Sequence, residues 1–229
     1  MYNDLMPDAY YEIRVCESCG LRYPLVEGHP FGTRCPTCLG DTHVILSRAL
    51  VREPHLDSLG VDPQQKNEKP GGGRIAVLLD NIRSAWNVGS ILRSADGFGF
   101  SHAFLCGITP SADHEAVTKT SLGAEDSVPW SYHKDAVRLV QGLNAEGWKV
   151  QALEDAPRGV DIRHATSVTY GSEPMVLIVG NEVTGVDPGL LDLCDEILYI
   201  PMRGEKKSFN VAIAFGIAAY AISVSVTES

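Results

Sequence analysis

The chain has 229 residues and a formal net charge of −10, with 19 Lys and Arg against 29 Asp and Glu. This length suits one full-sized core plus a small module, and the composition is that of a globular protein. The acidic balance counts against broad, non-specific nucleic-acid binding, because phosphate contacts need Lys and Arg, but it leaves room for a local basic patch. The start, MYNDLMPDAYYE, has no apolar core, so we expect no secretory signal and a cytoplasmic protein.

Four of the six cysteines form two closely spaced pairs near the amino terminus. Cys16 and Cys19 have two residues between them, as do Cys35 and Cys38, and fifteen residues separate the pairs. Four thiolates satisfy tetrahedral zinc and leave no open position, so the spacing predicts a structural zinc site in a module over residues 1–50. The alternative is four free or disulfide-bonded cysteines. Without metal, so small a module buries too little surface to fold.

The sequence indicates the function of this predicted zinc ribbon less clearly than it indicates the metal site. Basic and aromatic side chains occur together here, as RNA-binding modules require: Arg14, Arg22, Arg34, Arg48 and Arg52 with Tyr10, Tyr11, Tyr23 and Phe31. Acidic residues are interleaved with them, namely Glu12, Glu17, Glu27 and Asp41. Recognition of a substrate is the leading hypothesis, and a solvated surface of mixed charge is the alternative.

The next stretch, residues 51–73, has no apolar period and ends in Lys-Pro-Gly-Gly-Gly, so it is predicted to be a linker. From residue 74 to 229, apolar runs alternate with helical periodicity. Strands are predicted at 74–80, 102–106, 128–132, 148–153, 175–179 and 196–201, and helices around 88–95, 115–122 and 134–143. Residues 158–170 are interpreted as loop or irregular helix. The alternation predicts a parallel α/β sheet covered on both faces.

Polar turns follow the last two predicted strands. The apolar run Met175–Val179 ends in Gly180-Asn181-Glu182, and the strand at 196–201 breaks into Met202 and a charged turn. Open α/β sheets bind ligands at this end of their strands, so a site is predicted there. Ser208-Phe209-Asn210 then opens an uncharged stretch that reaches residue 227. Its polar residues make it a poor membrane span, so we expect a helix buried in the core or at a subunit interface.

Three motifs carry a resemblance to a known family. G-N-E-x2-G at Gly180, I-P-M-x-G at Ile200 and S-F-N-V-A at Ser208 resemble motifs two and three of the SPOUT-class, TrmH-like RNA 2'-O-ribose methyltransferases. The segment from Asn81 to Gly99, N-x5-N-x-G-x3-R-x-A-x2-F-G, is similar to that family's motif one. The match covers residues 75 to about 223 and leaves the first seventy residues outside it.

The resemblance implies more than the residue patterns do. General rules predict an unknotted, Rossmann-like winding, because threaded chains are nearly absent. The resemblance implies instead a parallel-sheet SPOUT fold with a carboxyl-terminal trefoil knot, paired as a homodimer. It also implies methyl transfer from S-adenosylmethionine to a ribose 2'-hydroxyl of tRNA or rRNA, with no DNA or membrane partner.

Site residues follow from the same resemblance. The implied cofactor-binding residues are Val179, Gly180, Asn181, Glu182, Ile200, Met202, Ser208 and Asn210. The implied catalytic residues are Asn87, Arg93, Glu182, Ser208 and Asn210. Arg93 is the central one, and we expect it to face the same side of its helix as Asn87. Whether Arg93 removes the hydroxyl proton or clamps a phosphate is open, although a guanidinium resists deprotonation.

Four of these residues also have a plain structural explanation. Arg93 could form a surface salt bridge with Asp96 or Asp80. Glu182 could be the negative charge before a helix at 186–193, and Asn87 and Asn210 could be helix N-caps. Two other functions stay open: an RNA-binding or assembly protein without turnover, and a Rossmann oxidoreductase, which the missing G-x-G-x-x-G disfavours.

Overall fold

The computed structural model describes residues 10–26, 33–49, 74–164, 173–206 and 208–224. The chain divides into two compact units, Met1–Lys66 and Asn67–Ser229. The boundary between them falls inside the linker predicted for residues 51–73. Those residues lie outside the described part of the chain, so the linker and the domain limits stay predictions.

The amino-terminal unit is built on a three-stranded antiparallel sheet. Its strands are β1 (Tyr10–Cys16), β2 (Arg22–Val26) and β3 (Thr42–Ala49), in the order β2-β1-β3. The first cysteine pair lies at the turn between β1 and β2, and the second lies just before β3. Each pair closes a tight turn that ends in a residue with positive φ, Gly20 at 73° and Leu39 at 61°. The strand order thus brings the two pairs to one end of the sheet.

The second unit is a seven-stranded parallel sheet with helices on both faces, which confirms the predicted α/β class. Its strands are β4 (Ile75–Asp80), β5 (His102–Cys106), β6 (Trp130–His133), β7 (Lys149–Leu153), β8 (Val160–Asp161), β9 (Met175–Val179) and β10 (Glu196–Tyr199). Its helices are α1 (Ala85–Gly97), α2 (Glu115–Ser121), α3 (Ala124–Ser127), α4 (Ala136–Ala145), α5 (Pro188–Leu191) and α6 (Val211–Val224).

Two apolar clusters cover the two faces of this sheet, and β4 contributes to both. Ile75, Val77 and Leu79 face the cluster that contains the buried residues of α1, α2, α3 and α6. Ala76 and Leu78 face the cluster that contains those of α4 and α5. Every residue of β4 and of β9 is buried, because both strands are central and covered from two sides. This explains their continuous apolar sequences.

The strand order β6-β5-β4-β9-β7-β10-β8 differs from the Rossmann-like winding that general rules predict. β10 lies between β7 and β8, although both precede it in the chain. Residues 154–159, which connect β7 to β8, therefore have to pass β10, and the backbone N–H of Glu154 donates to the carbonyl of Leu198 in β10. The trefoil knot itself stays a prediction.

Several predicted boundaries change in the structure. The short β8 was not predicted, because two residues carry no periodic signal. The strand expected from residue 128 begins at Trp130, since the backbone N–H of Val128 closes α3. The helix considered for residues 186–193 is only α5, four residues long. Residues 165–170 of the expected irregular segment lie outside the described residues.

The uncharged carboxyl-terminal stretch forms α6, which packs against α1. Phe215, Ala218, Ala219 and Ile222 are fully or almost fully buried, as expected of a core helix. Its other side is open, and Ile213 and Tyr220 remain exposed. Among the described residues, no helix is long and apolar enough to cross a membrane.

Gly89 allows α1 to approach α2 closely. A Cβ at Gly89 would lie 1.9 Å from Oγ1 of Thr120 and 2.5 Å from the carbonyl oxygen of Val117. We therefore expect Gly89→Ala to push the helices apart and to lower the free energy of unfolding by about 1–3 kcal/mol, the usual cost of overpacking. Thermal unfolding followed by circular dichroism measures this loss.

Gly97, at the end of the same helix, is the matched control. A Cβ there would meet no atom within 4 Å. Gly97→Ala should be neutral or stabilising by up to about 1 kcal/mol, because alanine favours helix. Equal unfolding midpoints for the two variants would contradict the close approach.

Candidate functional site

A cavity of about 440 Å³ opens at the carboxyl ends of β7, β9 and β10 and at the start of α6. All eight residues that the resemblance implies for cofactor binding line it: Val179, Gly180, Asn181, Glu182, Ile200, Met202, Ser208 and Asn210. The structure thus brings the two predicted polar turns and the helix start together. Their roles in binding stay predictions.

The cavity also contains residues that sequence reasoning missed. Glu154 and Asp155 follow β7 directly and line the cavity, as does Tyr199 at the end of β10. Their signal was available, because they are polar residues at the carboxyl end of a buried strand. No sequence pattern indicated that β7 would lie beside β10.

The turn after β9 is held by backbone contacts and by one carboxamide. Gly180 has no room for a side chain, because a Cβ would lie 2.3 Å from the backbone nitrogen of Val186. Asn181 accepts a hydrogen bond from the N–H of Val183 at 2.9 Å. It also donates from Nδ2 to the carbonyl of Asn81 at 2.7 Å. Asn181 therefore ties this turn to the loop after β4.

Glu182 binds the start of α1. Its Oε2 accepts from the N–H of Arg83 at 2.9 Å, and its Oε1 accepts from the N–H of Ser84 at 3.0 Å and from Nδ2 of Asn87 at 2.9 Å. Partial burial opposes its ionisation, but these hydrogen bonds outweigh burial and lower the pKa of the Glu182 carboxyl below its ordinary value. The alternative role at a helix over 186–193 is wrong, since α5 is capped by Asp187.

Asn210 extends this hydrogen-bonded chain to α6. Its Nδ2 donates to Oδ1 of Asn87 at 3.1 Å, while its Oδ1 accepts from the N–H of Ala212 at 3.0 Å. Asn210 is therefore both the N-cap of α6 and a link to α1. Asn87 is not an N-cap, because Ser84 caps α1. Hydrogen bonds thus run from Asn210 to Asn87 to Glu182, one residue from each motif. This set of three is called the carboxamide chain below.

Two predicted residues stand apart from the carboxamide chain. Ser208 lines the cavity, but within the described part of the chain its side chain forms no hydrogen bond. Arg93 is exposed and is not among the lining residues. The expectation that Arg93 shares a side of α1 with Asn87 is wrong, because six residues advance a helix by about 600° and leave the two about 120° apart.

The structural alternative for Arg93 also finds no support in the described residues, where Arg93 forms no ion pair. Asp80 is buried and engaged elsewhere: it accepts from the N–H of Asp187 at 2.9 Å and from Nδ2 of Asn81 at 2.7 Å. Burial raises the pKa of the Asp80 carboxyl.

Two carboxylates hold the loop that follows Gly185. Glu154 accepts a hydrogen bond from the N–H of Val186, the residue before Asp187, at 2.9 Å. Asp80 and Glu154 thus hold two consecutive backbone donors in the loop that closes the cavity.

The predicted metal ligands form a second, separate cluster in the amino-terminal unit. The sulfurs of Cys16, Cys19, Cys35 and Cys38 all lie within 4.8 Å of one another. Two of these pairs, Cys16–Cys38 at 3.4 Å and Cys19–Cys35 at 3.7 Å, are close to the roughly 3.8 Å that tetrahedral zinc with Zn–S bonds of about 2.3 Å requires. Hydrogen bonds, that of the Cys19 backbone N–H above all, lower the pKa of Cys16, whereas contacts with the neighbouring thiols raise that of Cys38, so the fit to a metal rests on the geometry of the four sulfurs. The four residues therefore fit a closed metal site.

Comparison with known proteins identifies the second unit. A family model described as the SpoU rRNA Methylase family matches residues 74–220, more than half of the chain. The match begins where the parallel sheet begins and ends within α6, and it leaves the cysteine cluster outside.

Individual relatives agree with this match. The 23S rRNA (guanosine(2553)-2'-O)-methyltransferase RlmP of Bacillus subtilis is 33% identical over 155 residues, covering 67% of this chain and 59% of that protein. The putative TrmH family tRNA/rRNA methyltransferase YacO of the same species is 28% identical over 186 residues, covering 78% and 68%. An AdoMet-bound rRNA methyltransferase from Sinorhizobium meliloti aligns with a TM-score of 0.61 at 29% identity, over 69% of this chain and 58% of that one. The chain spans less than two thirds of the first and third of these proteins.

The cysteine cluster predicts one tightly bound zinc ion per chain. Cys35→Ala should remove it and unfold the amino-terminal unit, because three thiolates leave the site open and the sheet alone buries little. Elemental analysis measures the metal, and circular dichroism the loss of structure. Cys194→Ser is the control, since Cys194 lies in the other unit and its thiol donates to the carbonyl of Leu190, a bond that a serine hydroxyl can also form. Wild-type protein without bound metal would contradict the prediction.

Proposed function

Since the chain belongs to the SpoU rRNA methylase family, we propose that it transfers a methyl group from S-adenosylmethionine to a ribose 2'-hydroxyl of rRNA or tRNA. The observation that carries this proposal is the carboxamide chain, Asn210-Asn87-Glu182, which borders the cavity at the carboxyl end of the sheet. Its named relatives support the same activity, since RlmP is an rRNA 2'-O-methyltransferase and the Sinorhizobium enzyme holds AdoMet. With rRNA or tRNA as substrate, the protein would act in the cytoplasm.

The cavity has the size and charge that S-adenosylmethionine requires. Its volume falls in the range of about 300–1,000 Å³ that is usual for small-molecule sites. S-adenosylmethionine supplies a methyl group on a positively charged sulfur. Glu154, Asp155 and Glu182 line the cavity, so its field is negative and favours a cation. The turns at Gly180 and Ile200 offer backbone N–H and carbonyl groups for the adenosine.

In this proposal, Arg93 positions the substrate and does not act as a base. A guanidinium keeps its proton in proteins but binds a phosphate through two parallel hydrogen bonds. Within one chain, Arg93 lies outside the cavity, so RNA or a second chain has to bring the ribose and Arg93 together. That separation is also the observation that favours the second candidate function, RNA binding without turnover.

We further propose that the protein is a homodimer that pairs through α1 and α6. Trp86 is 64% exposed on α1, and Ile213 and Tyr220 are 56% and 59% exposed on α6. Trp86 and Arg93 are seven residues apart, so they lie on nearly the same face of α1. In this proposal, these side chains belong to one apolar dimer surface, because α1 packs against α6. Burying it in a dimer would place Arg93 at the interface.

Arg93→Ala should separate binding from transfer. We expect cofactor affinity near the wild-type value, because Arg93 does not line the cavity, and a fall in turnover of about a hundredfold or more. Arg93→Lys should not restore turnover, because an ammonium lacks the planar pair of donors. Asn210→Ala is the contrasting variant, and it should weaken cofactor binding because it removes a lining residue and breaks the carboxamide chain.

Calorimetry with S-adenosylmethionine and single-turnover methylation with saturating cofactor measure the two effects. Near-normal rates for Arg93→Ala would place the active centre elsewhere. A wild-type protein that binds RNA and cofactor but transfers no methyl group would favour the second candidate function.

Light scattering tests the dimer. Wild-type protein at micromolar concentration should have twice the mass of the chain, whereas Ile213→Glu with Tyr220→Glu should be monomeric, because the buried apolar surface would receive two charges. Ile108→Glu is the control, since Ile108 is 65% exposed but is not on α1 or α6. A wild-type monomer rules this assembly out.

A further inference from the structure

One face of the amino-terminal sheet combines basic, aromatic and apolar side chains. In an antiparallel sheet, directly opposed residues project to the same side. Tyr11 lies opposite Arg48, Ile13 opposite Leu46, and Val15 opposite both Arg22 and His43. The face defined by Tyr11, Ile13, Arg22, His43, Leu46 and Arg48 is called the Tyr11 face. It shares no residue with the cavity or with the cysteine cluster.

The Tyr11 face carries positive charge that carboxylates do not offset. Arg22 and Arg48 are exposed and, within the residues that the structure describes, neither forms an ion pair. No paired position on this face is acidic. One carboxylate contacts this face at its edge: Oε1 of Glu17 lies 3.5 Å from Nδ1 of His43. In a chain with a net charge of −10, this face is therefore locally basic.

The other two described arginines of this unit form ion pairs with carboxylates of the same unit. Arg14 is buried, donates to the backbone carbonyl of Thr42 and pairs with Glu12 on the opposite face. Arg34 forms an ion pair with Asp41 at 3.0 Å. The sequence did not show which arginines of this unit are paired with acidic residues. In the structure, two of the four described arginines are paired, and the other two lie on the Tyr11 face.

The spacing on this face suits an extended nucleic-acid strand. With about 3.3 Å per residue and 4.8 Å between strands, Arg22 and Arg48 are roughly 16 Å apart at opposite corners. Half-buried Tyr11 and Ile13 lie between these corners, and Leu46 is 39% exposed beside them. Arginines can hold phosphates while bases stack on the aromatic and apolar centre, which is how sheets recognise unpaired RNA.

We propose that the Tyr11 face binds a single-stranded segment of the substrate RNA. The proposal rests on the proposed function in one respect, that the substrate of the second unit is RNA. Charge complementarity suits a negatively charged partner. Tyr11 favours RNA over an acidic protein, because its ring offers a stacking surface for bases between two phosphate-binding groups.

The test compares two double variants of the full chain that change its charge equally. Arg22→Ser with Arg48→Ser removes two positive charges from the Tyr11 face. Ser47→Glu with Ala49→Glu adds two negative charges on the opposite face, since Ser47 and Ala49 lie opposite Glu12 and Tyr10. The probe is a fluorescein-labelled single-stranded uridine 12-mer, and fluorescence anisotropy gives the Kd at several salt concentrations.

We expect the arginine variant to bind about tenfold more weakly and to lose about 1.4 from the slope of log Kd against log salt, because each phosphate contact to a single strand contributes about 0.7. The glutamate variant should keep the wild-type slope. Tyr11→Ala should also weaken binding, whereas Tyr10→Ala, its neighbour on the opposite face, should not. Zinc content and circular dichroism check that each variant folds.

The outcomes separate this inference from the proposed function. If the arginine variant keeps wild-type affinity and slope while wild-type protein methylates RNA, the Tyr11 face is not the RNA site and the methyltransferase proposal stands. Equal weakening by both double variants also overturns the inference, because the effect is then one of overall charge. Wild-type protein that neither binds nor methylates RNA overturns both.

Discussion

The Glu182 carboxylate is the contact on which the site depends. It accepts hydrogen bonds from two backbone N–H groups before α1 and from the side chain of Asn87, nearly a hundred residues earlier in the chain. An ionised acceptor at the positive end of a helix is favourable, and three donors hold it in one orientation. Because Asn87 also accepts from Asn210, the turn after β9, the start of α1 and the start of α6 are fixed to one another.

Much of the fold could be predicted because its signals are local. The bounds of β5 and β9 agree with the apolar runs, and β4 begins one residue later than expected. The cysteine spacing predicted a cluster that the structure forms. The two polar turns and the start of α6 also converge as expected, since the carboxyl ends of parallel strands share one edge of a sheet. In each case, a short segment contains the information.

The features that could not be predicted depend on distant contacts. The place of β10 between β7 and β8 is a property of the whole sheet, and no periodicity encodes it. Glu154 lines the cavity because β7, which it follows, lies between β9 and β10 in the sheet. Arg93 was misjudged for another reason: motif spacing identifies a residue, whereas the direction of its side chain follows from the 3.6-residue helical turn.

The position of β10 also determines when the site can exist during synthesis. The cavity needs Glu154 from the middle of the chain and Ala214 from near its end. Among the described strands β8 pairs only with β10, which the ribosome makes later, so these non-local pairings form late. A nascent or prematurely terminated polypeptide that stops before α6 therefore carries every strand of this sheet but not the complete cavity. The methyl transfer proposed above would therefore depend on the last elements made.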